Sequence, residues 1–134
     1  MTNKEFAQSY FVQAKAIFRE LEEHYKAKEW HLAVRRAQEV VEFILKGFLR
    51  QAGIEIPRFH DVGGVLQKER ERLPQNLTKN LERIISVSRR LRQERETSFY
   101  GDEEQELPPS ALYTEIDAKQ AKEDAKWLME FLPD

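Results

Sequence analysis

The sequence WHLAVRRAQEVVEFILKGFLR, from Trp30 to Arg50, carries the clearest structural pattern in this chain of 134 residues. Its apolar residues recur at intervals of three and four, which is the spacing of a helix with one broad buried face. They are Trp30, Ala33, Val34, Ala37, Val40, Val41, Ile44, Leu45, Phe48 and Leu49. We expect this helix to end near Ala52 and Gly53, because glycine adopts the left-handed conformation of a helix end without a steric clash.

Three polar residues, Gln38, Glu42 and Lys46, follow one another along this helix at spacings of four. Side chains four residues apart lie on the same side of a helix, so these three form one row. Glu42 precedes Lys46, which is the favourable order for an ion pair within a helix. We refer to Gln38, Glu42 and Lys46 as the polar row.

A second helix is predicted before this one, from about residue 3 to residue 27. Thr2 and Glu5 have the spacing of a capping box at its start. Only residues 27–29 separate the two helices. A link this short predicts that they pack against each other in antiparallel directions.

Three more helices are expected after Gly53. Pro57 and a pair of glycines mark a loop, and Asp61 is placed to cap a short helix that ends near Arg72. The next helix should run from about residue 76 to residue 96. Its predicted buried stripe contains Leu77, Leu81, Ile84, Ile85, Ser88 and Leu91.

The segment SFYGDEEQELPPSALYT, from Ser98 to Thr114, is predicted to be a loop, because its glycine and two prolines forbid a continuous helix. A last helix should begin at Thr114 and end before Pro133. Its predicted stripe contains Ile116, Ala118, Ala121, Ala125, Leu128, Met129 and Leu132. The chain is therefore expected to be one all-α domain, residues 1–134, an antiparallel up-and-down bundle of four long helices and one short one.

The composition excludes several classes of protein. There is no cysteine, which excludes disulfides, thiolate catalysis and the usual zinc fingers. No stretch approaches the roughly 20 apolar residues of a membrane span, and the first residues lack the apolar region of a signal peptide. We therefore expect a soluble cytoplasmic protein with no membrane contact, no metal and no cofactor.

Two arginines, Arg92 and Arg95, fall near the inward edge of the predicted fourth helix, residues 76–96, when its buried stripe is extended by helical steps. A guanidinium near a core needs partners. One interpretation is a structural ion pair, with Glu42 as a candidate partner, or a cation at the negative end of the helix dipole. The other is a phosphate site, which suits the forked donors of arginine.

Basic residues are concentrated between Lys68 and Glu96. This segment contains nine basic and five acidic residues, so its net charge is +4. They are Lys68, Arg70, Arg72, Lys79, Arg83, Arg89, Arg90, Arg92 and Arg95. The following Asp102, Glu103, Glu104 and Glu106 reverse the sign of the charge. Such a segment is compatible with binding of RNA or a nucleotide, or with an ordinary solvated surface.

Phe99 and Tyr100 are adjacent aromatic residues in the predicted loop, where they either plug the bundle or leave Tyr100 free to stack on a base.

His60 and Asp61 form a candidate base with an orienting acid, or equally a helix cap. His24 and His31 match no metal spacing. The sequence contains no phosphate-binding Walker loop and no nucleophile elbow.

Several of these motifs together resemble the HEPN domain family, the higher eukaryote and prokaryote nucleotide-binding domain. The first is A-Q-x-x-x-E-x-x-x-K, from Ala37 to Lys46, followed by Gly53 and the run from Pro57 to Val62. Three further features complete the resemblance: the arginine-rich predicted helix at residues 76–96, F-Y-G-D at residues 99–102 and Y-T-x-x-D-A at residues 113–118. It implies a five-helix bundle that commonly dimerises. Members are often encoded beside nucleotidyltransferases in toxin–antitoxin pairs.

Many members of this family are metal-independent ribonucleases with an arginine followed, after four to six residues, by a histidine on the fourth helix. Arg89, Arg92 and Arg95 match the arginine, but no histidine follows them in this sequence. Arg19 and His24 have the spacing but lie in the first helix, so we interpret that match as chance. Cleavage by the 2′-hydroxyl needs a base near neutral pKa, and tyrosine, at about 10, is a poor one.

Three hypotheses follow. The leading one is a HEPN protein without strong catalysis, a homodimer that binds a nucleotide or a nucleotidyltransferase-domain partner. In it Arg92, Arg95 and Arg89 contact the anion, Glu42 and Lys46 give polar support, and Tyr100 contributes a stacking contact. The second is a ribonuclease on RNA in which Arg95 holds the scissile phosphate and Tyr100 or His60 replaces the base. The third is a dimerisation module with no ligand.

Overall fold

The structure is a computed structural model that describes residues 1–56 and 62–133. In these residues every regular element is a helix, which confirms the predicted all-α bundle. The helices are α1 (Asn3–Lys26), α2 (Trp30–Gln51), α3 (Val62–Lys68), α4 (Gln75–Thr78), α5 (Leu81–Tyr100), α6 (Pro109–Leu112) and α7 (Glu115–Met129), with a 3-10 turn at Arg70–Arg72. None of the described helices combines the length and apolarity that crossing a membrane would require.

Helices α1 and α2 form the predicted hairpin, and their contact is the most extensive in the fold. Thr2 begins α1, because its hydroxyl oxygen accepts the backbone N–H of Glu5 at 3.1 Å. A link of three residues joins α1 to α2, so the two helices run in opposite directions. Their apolar faces meet in a buried core where the rings of Phe11 and Phe48 lie 5.0 Å apart.

Helix α2 is the central helix, since it packs against α1, α5 and α7. It ends as the sequence predicts, with Gly53 in the left-handed region at φ +73°. Arg72 closes this end by donating to the carbonyl oxygens of Ala52, at 3.0 Å, and Gly53, at 3.4 Å. This arginine of the basic segment therefore has a structural role.

The helix predicted from residue 76 to residue 96 differs from the prediction at both ends. It is broken after α4, because Asn76 and Asn80 bond to nearby backbone instead of continuing the helix. The second part, α5, runs to Tyr100, four residues beyond the predicted end. It stops only where Gly101 adopts φ +78°, at a point where a Cβ would collide with the backbone of Pro108.

Phe99 and Tyr100 lie on the last turn of α5 and do not plug the bundle. Their side chains are 55% and 63% exposed, and their rings meet edge to face. The prediction of a buried plug was therefore wrong. Extending α5 by one turn places both rings on its outer surface, while Ser98 beside them is buried.

Helix α7 begins with a full capping box, in which Thr114 and Asp117 each bond the backbone N–H of the other. One member of its predicted stripe, Ile116, is 80% exposed, so that assignment was wrong. The buried residues are Ala118, Ala121, Asp124, Ala125 and Leu128. At 100° per residue, position 116 points to the opposite side of the helix from this stripe.

Two arginines of α5 attach α7 to the bundle. Arg90 donates to Asp124 at 2.6 Å, and Asp124 is only 3% exposed, so the pair compensates a buried carboxylate. The guanidinium of Arg83 lies 3.8 Å from the centre of the Trp127 ring. These contacts give further members of the basic segment a structural role.

Tyr113, just before α7, makes another contact with α5. Its hydroxyl donates a hydrogen bond to the carboxylate of Glu94. Burial, together with this bond, raises the pKa of Tyr113 far above its usual range. The phenol therefore stays protonated at any physiological pH.

Replacing Gly47 by alanine should destabilise the α1–α2 contact. A Cβ on Gly47 would overlap the ring of Phe11, with Cδ1 2.8 Å away, and this ring is buried in the core. We expect Gly47→Ala to lower the free energy of unfolding by about 1–3 kcal/mol, measured by urea denaturation. Gly64→Ala is the control, because nothing lies within 4 Å of the added carbon. An unchanged stability of Gly47→Ala would contradict this packing.

Candidate functional site

A cleft of about 260 Å³ lies between α2 and α5, and we call it the α2–α5 cleft. It is lined by Gln38, Val41, Glu42, Leu45 and Lys46 of α2, by Val62 of α3, and by Ser88, Leu91, Arg92 and Arg95 of α5. Four of these residues are apolar and buried, and form its floor. The polar row lies along one wall, and the two arginines lie along the other.

The polar row is held together by contacts within α2. Lys46 lies 2.8 Å from one carboxylate oxygen of Glu42, which confirms the predicted ion pair. The amide nitrogen of Gln38 donates to the other oxygen at 2.9 Å. Both oxygens of Glu42 thus have partners on their own helix.

Arg92 and Arg95 face this row from α5, and both are exposed to solvent within the cleft. The ion pair of Arg95 with Glu42 that the sequence suggested is absent among the described residues, where Lys46 and Gln38 bond the carboxylate. In the part of the chain that the structure describes, Arg95 forms no ion pair. The positive charge of Arg95 nevertheless contributes to lowering the pKa of Glu42.

A second hollow, of about 270 Å³, continues from the cleft and shares Gln38, Glu42, Lys46 and Arg95 with it. It adds Arg35, which sequence analysis missed. Arg35 donates to the backbone carbonyl of Arg95, and its guanidinium lies 5.2 Å from the centre of the Phe99 ring. Its position three residues before Gln38 was a usable signal, because it extends the polar row by one helical step.

The remaining predicted site residues lie elsewhere. Arg89 lines a separate groove on the next face of α5. Tyr100 lines an acidic hollow with Glu96, Asp102, Glu103 and Glu104. His60 falls outside the described residues. Their roles as ligand contacts stay predictions, but the cleft brings together only Glu42, Lys46, Arg92 and Arg95 of the predicted set.

A family model for the HEPN domain matches residues 7–134, nearly the whole chain. The chain belongs to the HEPN domain family. Neither the curated proteins nor the solved structures give a match to it. The family predicted from the sequence is thereby confirmed.

The charged residues that line the cleft in the described part of this HEPN domain are Glu42, Lys46, Arg92 and Arg95. Burial would raise the pKa of Glu42, but hydrogen bonds from Lys46 and Gln38, with the charges of Lys46 and Arg95, lower it overall. Glu42 is therefore ionised near neutral pH and is a weak base. Among residues 1–56 and 62–133, no three carboxylate or histidine side chains are placed to hold a metal ion.

The lowered pKa of Glu42 predicts a pH-dependent contribution to stability. A carboxyl group whose pKa is lower when folded stabilises the fold above its unfolded pKa of about 4.3, and this contribution is lost as pH falls. We expect Glu42→Gln to be less stable than the wild type by about 1 kcal/mol at pH 7. The difference should shrink as the pH falls below about 4. Urea denaturation of both proteins across this range measures it, and a constant difference would contradict the assignment.

Proposed function

We propose that this HEPN protein binds a nucleotide in the α2–α5 cleft, as the binding component of a pair with a nucleotidyltransferase-domain protein. Arg92 and Arg95 would contact the phosphates. Lys46 would add a third positive charge, and the apolar floor would contact the ring system of the ligand. Arg35 would hold the turn of α5 that carries Arg95.

The observation that carries this proposal is the uneven charge of the cleft. Among the described lining residues, Lys46, Arg92 and Arg95 are cations and Glu42 is the carboxylate. Because Lys46 and Gln38 already occupy Glu42, the guanidinium of Arg95 is available for an anion. Arginine presents planar, forked donors that match phosphate oxygens, and buried apolar surface beside them suits an aromatic base.

The same cleft gives little support to the alternative, a ribonuclease. Attack by a 2′-hydroxyl needs a proton acceptor that titrates near neutrality. No described lining residue has this property, since Glu42 has a lowered pKa and the other charged residues are lysine and arginine. Tyr100 lines a different hollow, and Tyr113 remains protonated. Binding is therefore the function that we favour.

We also propose that the protein is a homodimer, as its family resemblance implies. The exposed pair of Phe99 and Tyr100 supports a protein contact at the end of α5, because aromatic side chains are enriched in interfaces. The adjacent acidic loop, closed by two hydrogen bonds between the backbones of Asp102 and Leu107, gives this surface a fixed shape.

Replacing Arg95 by alanine should weaken nucleotide binding without unfolding the protein. Losing a hydrogen bond to a charged group costs about 1.5–3 kcal/mol, which is about a tenfold to hundredfold loss of affinity. We would measure ATP and AMP binding by titration calorimetry, and the melting temperature of each variant by circular dichroism. Because Arg95 is exposed, its melting temperature should stay close to that of the wild type.

Lys15→Ala is the matched control, because it removes one exposed positive charge from α1, outside the cleft. It should leave ATP binding unchanged. Glu42→Gln should tighten binding, because it removes a negative charge from the cleft and releases Lys46. Equal affinity of the wild type and Arg95→Ala, or no binding of either nucleotide by the wild type, would contradict the proposal.

A cleavage assay separates binding from catalysis. We expect a labelled single-stranded RNA to remain intact with the wild-type protein in EDTA, because the described cleft lacks a suitable base. Arg95→Ala and His60→Ala are tested in parallel with the wild type. Cleavage by the wild type that either substitution abolishes would establish the ribonuclease alternative instead.

A further inference from the structure

One side of α5 is exposed along its whole length, and we call it the outer face of α5. Its six residues follow one another at spacings of four, three, four, three and four, so they return to the same side of the helix at each turn. All of them are exposed. They are Glu82, Ser86, Arg89, Gln93, Glu96 and Tyr100. Because a helix of 20 residues is about 30 Å long, this is a long helix face that no other described helix covers.

The two ends of the outer face carry opposite charges. Beside its first residues lies a groove of about 750 Å³, which is lined by the exposed Arg70 and Lys79. Arg89 and Arg90 also line the groove, but both already have partners within the chain and we do not count their charges. Beside the last residues of the face lies the acidic hollow of about 360 Å³. Its carboxylates are those of Glu96, Asp102, Glu103 and Glu104.

Backbone contacts give the acidic end a fixed shape. The backbones of Asp102 and Leu107 exchange hydrogen bonds of 2.8 and 2.9 Å, and Oδ1 of Asp102 accepts the backbone N–H of Gln105 at 3.1 Å. At the basic end, the backbone N–H of Leu73 donates to the carbonyl of Arg70 at 3.2 Å. Surfaces that are ordered before binding lose less conformational entropy when they meet a partner.

This arrangement is complementary to itself under a two-fold rotation. When the outer faces of two copies meet in antiparallel directions, the basic end of each copy lies against the acidic end of the other. The hydroxyl of Ser86 then faces the carboxylate of Glu96 in the other copy, and the carboxylate of Glu82 faces the hydroxyl of Tyr100. Each of these contacts occurs twice, because the same surface of both copies takes part.

We propose that the outer face of α5 is the contact surface of the homodimer, with the α5 helices of the two copies antiparallel. This inference rests on the proposed function, in which the protein is a homodimer, and it identifies the surface that the second copy covers. A parallel arrangement would place the two acidic ends together and the two basic ends together, and facing like charges oppose association. Charge complementarity therefore selects the antiparallel dimer.

The test is a set of charge reversals followed by sedimentation velocity at low ionic strength. The wild type should be a dimer that dissociates as the salt concentration rises, because salt screens exposed charges. Glu103→Lys/Glu104→Lys and Arg70→Glu/Lys79→Glu each place like charges at both ends of the contact. Each variant alone should raise the Kd of the dimer by more than about tenfold.

An equimolar mixture of the two variants should dimerise again, because opposite charges then face each other at both ends of a mixed dimer. A variant that carries all four substitutions should dimerise by itself for the same reason. Lys4→Glu/Lys15→Glu is the matched control, since it reverses two exposed charges on α1 and should leave the Kd unchanged. Circular dichroism should give melting temperatures close to that of the wild type, because every reversed residue is exposed.

The possible failures are distinguishable. If both reversal variants dimerise as tightly as the wild type, the dimer uses another surface, so this proposal is overturned and the homodimer stands. A wild type that stays monomeric at every protein concentration would contradict the homodimer as well. Assemblies that grow beyond two copies would indicate a head-to-tail contact, and a mixture of variants that stays monomeric would exclude the antiparallel pairing. ATP binding by the wild type is measured separately, because Arg92 and Arg95 do not belong to the outer face of α5.

Discussion

The burial of α2 between α1, α5 and α7 is the constraint on which the rest of this structure depends. Three neighbouring helices cover its apolar surface, and the polar row lies on the side of α2 that faces α5. Because α5 packs beside it, the remaining gap between the two helices becomes a cleft with an apolar floor and charged walls.

The charge of this cleft depends on which side chains pair with the carboxylate of Glu42. Lys46 and Gln38 are one helical turn away on the same helix, so their contacts with Glu42 need no rearrangement of the fold. The arginines of α5 would have to reach across the cleft for the same carboxylate. Lys46 and Gln38 therefore bond Glu42, and Arg95 forms no ion pair among the described residues.

Helix α5 combines structural and candidate functional arginines. Arg83 and Arg90 attach α7 through Trp127 and Asp124, whereas Arg92 and Arg95 face the cleft. Sequence analysis counted all of them in one basic segment, because composition does not show which face of a helix a residue occupies. It also missed Arg35, which approaches Arg95 from a helix 60 positions earlier in the chain.

The sequence by itself determined the helical class, the α1–α2 hairpin, the end of α2 at Gly53 and the ion pair between Glu42 and Lys46. All of these depend on spacings of four residues or fewer, or on the conformational preference of one residue. Only the tertiary structure decided that α5 extends to Tyr100 and that Arg89 and Arg95 line different surfaces. These facts depend on which helices pack together and at what rotation, and contacts between distant parts of the chain leave no regular period in the sequence.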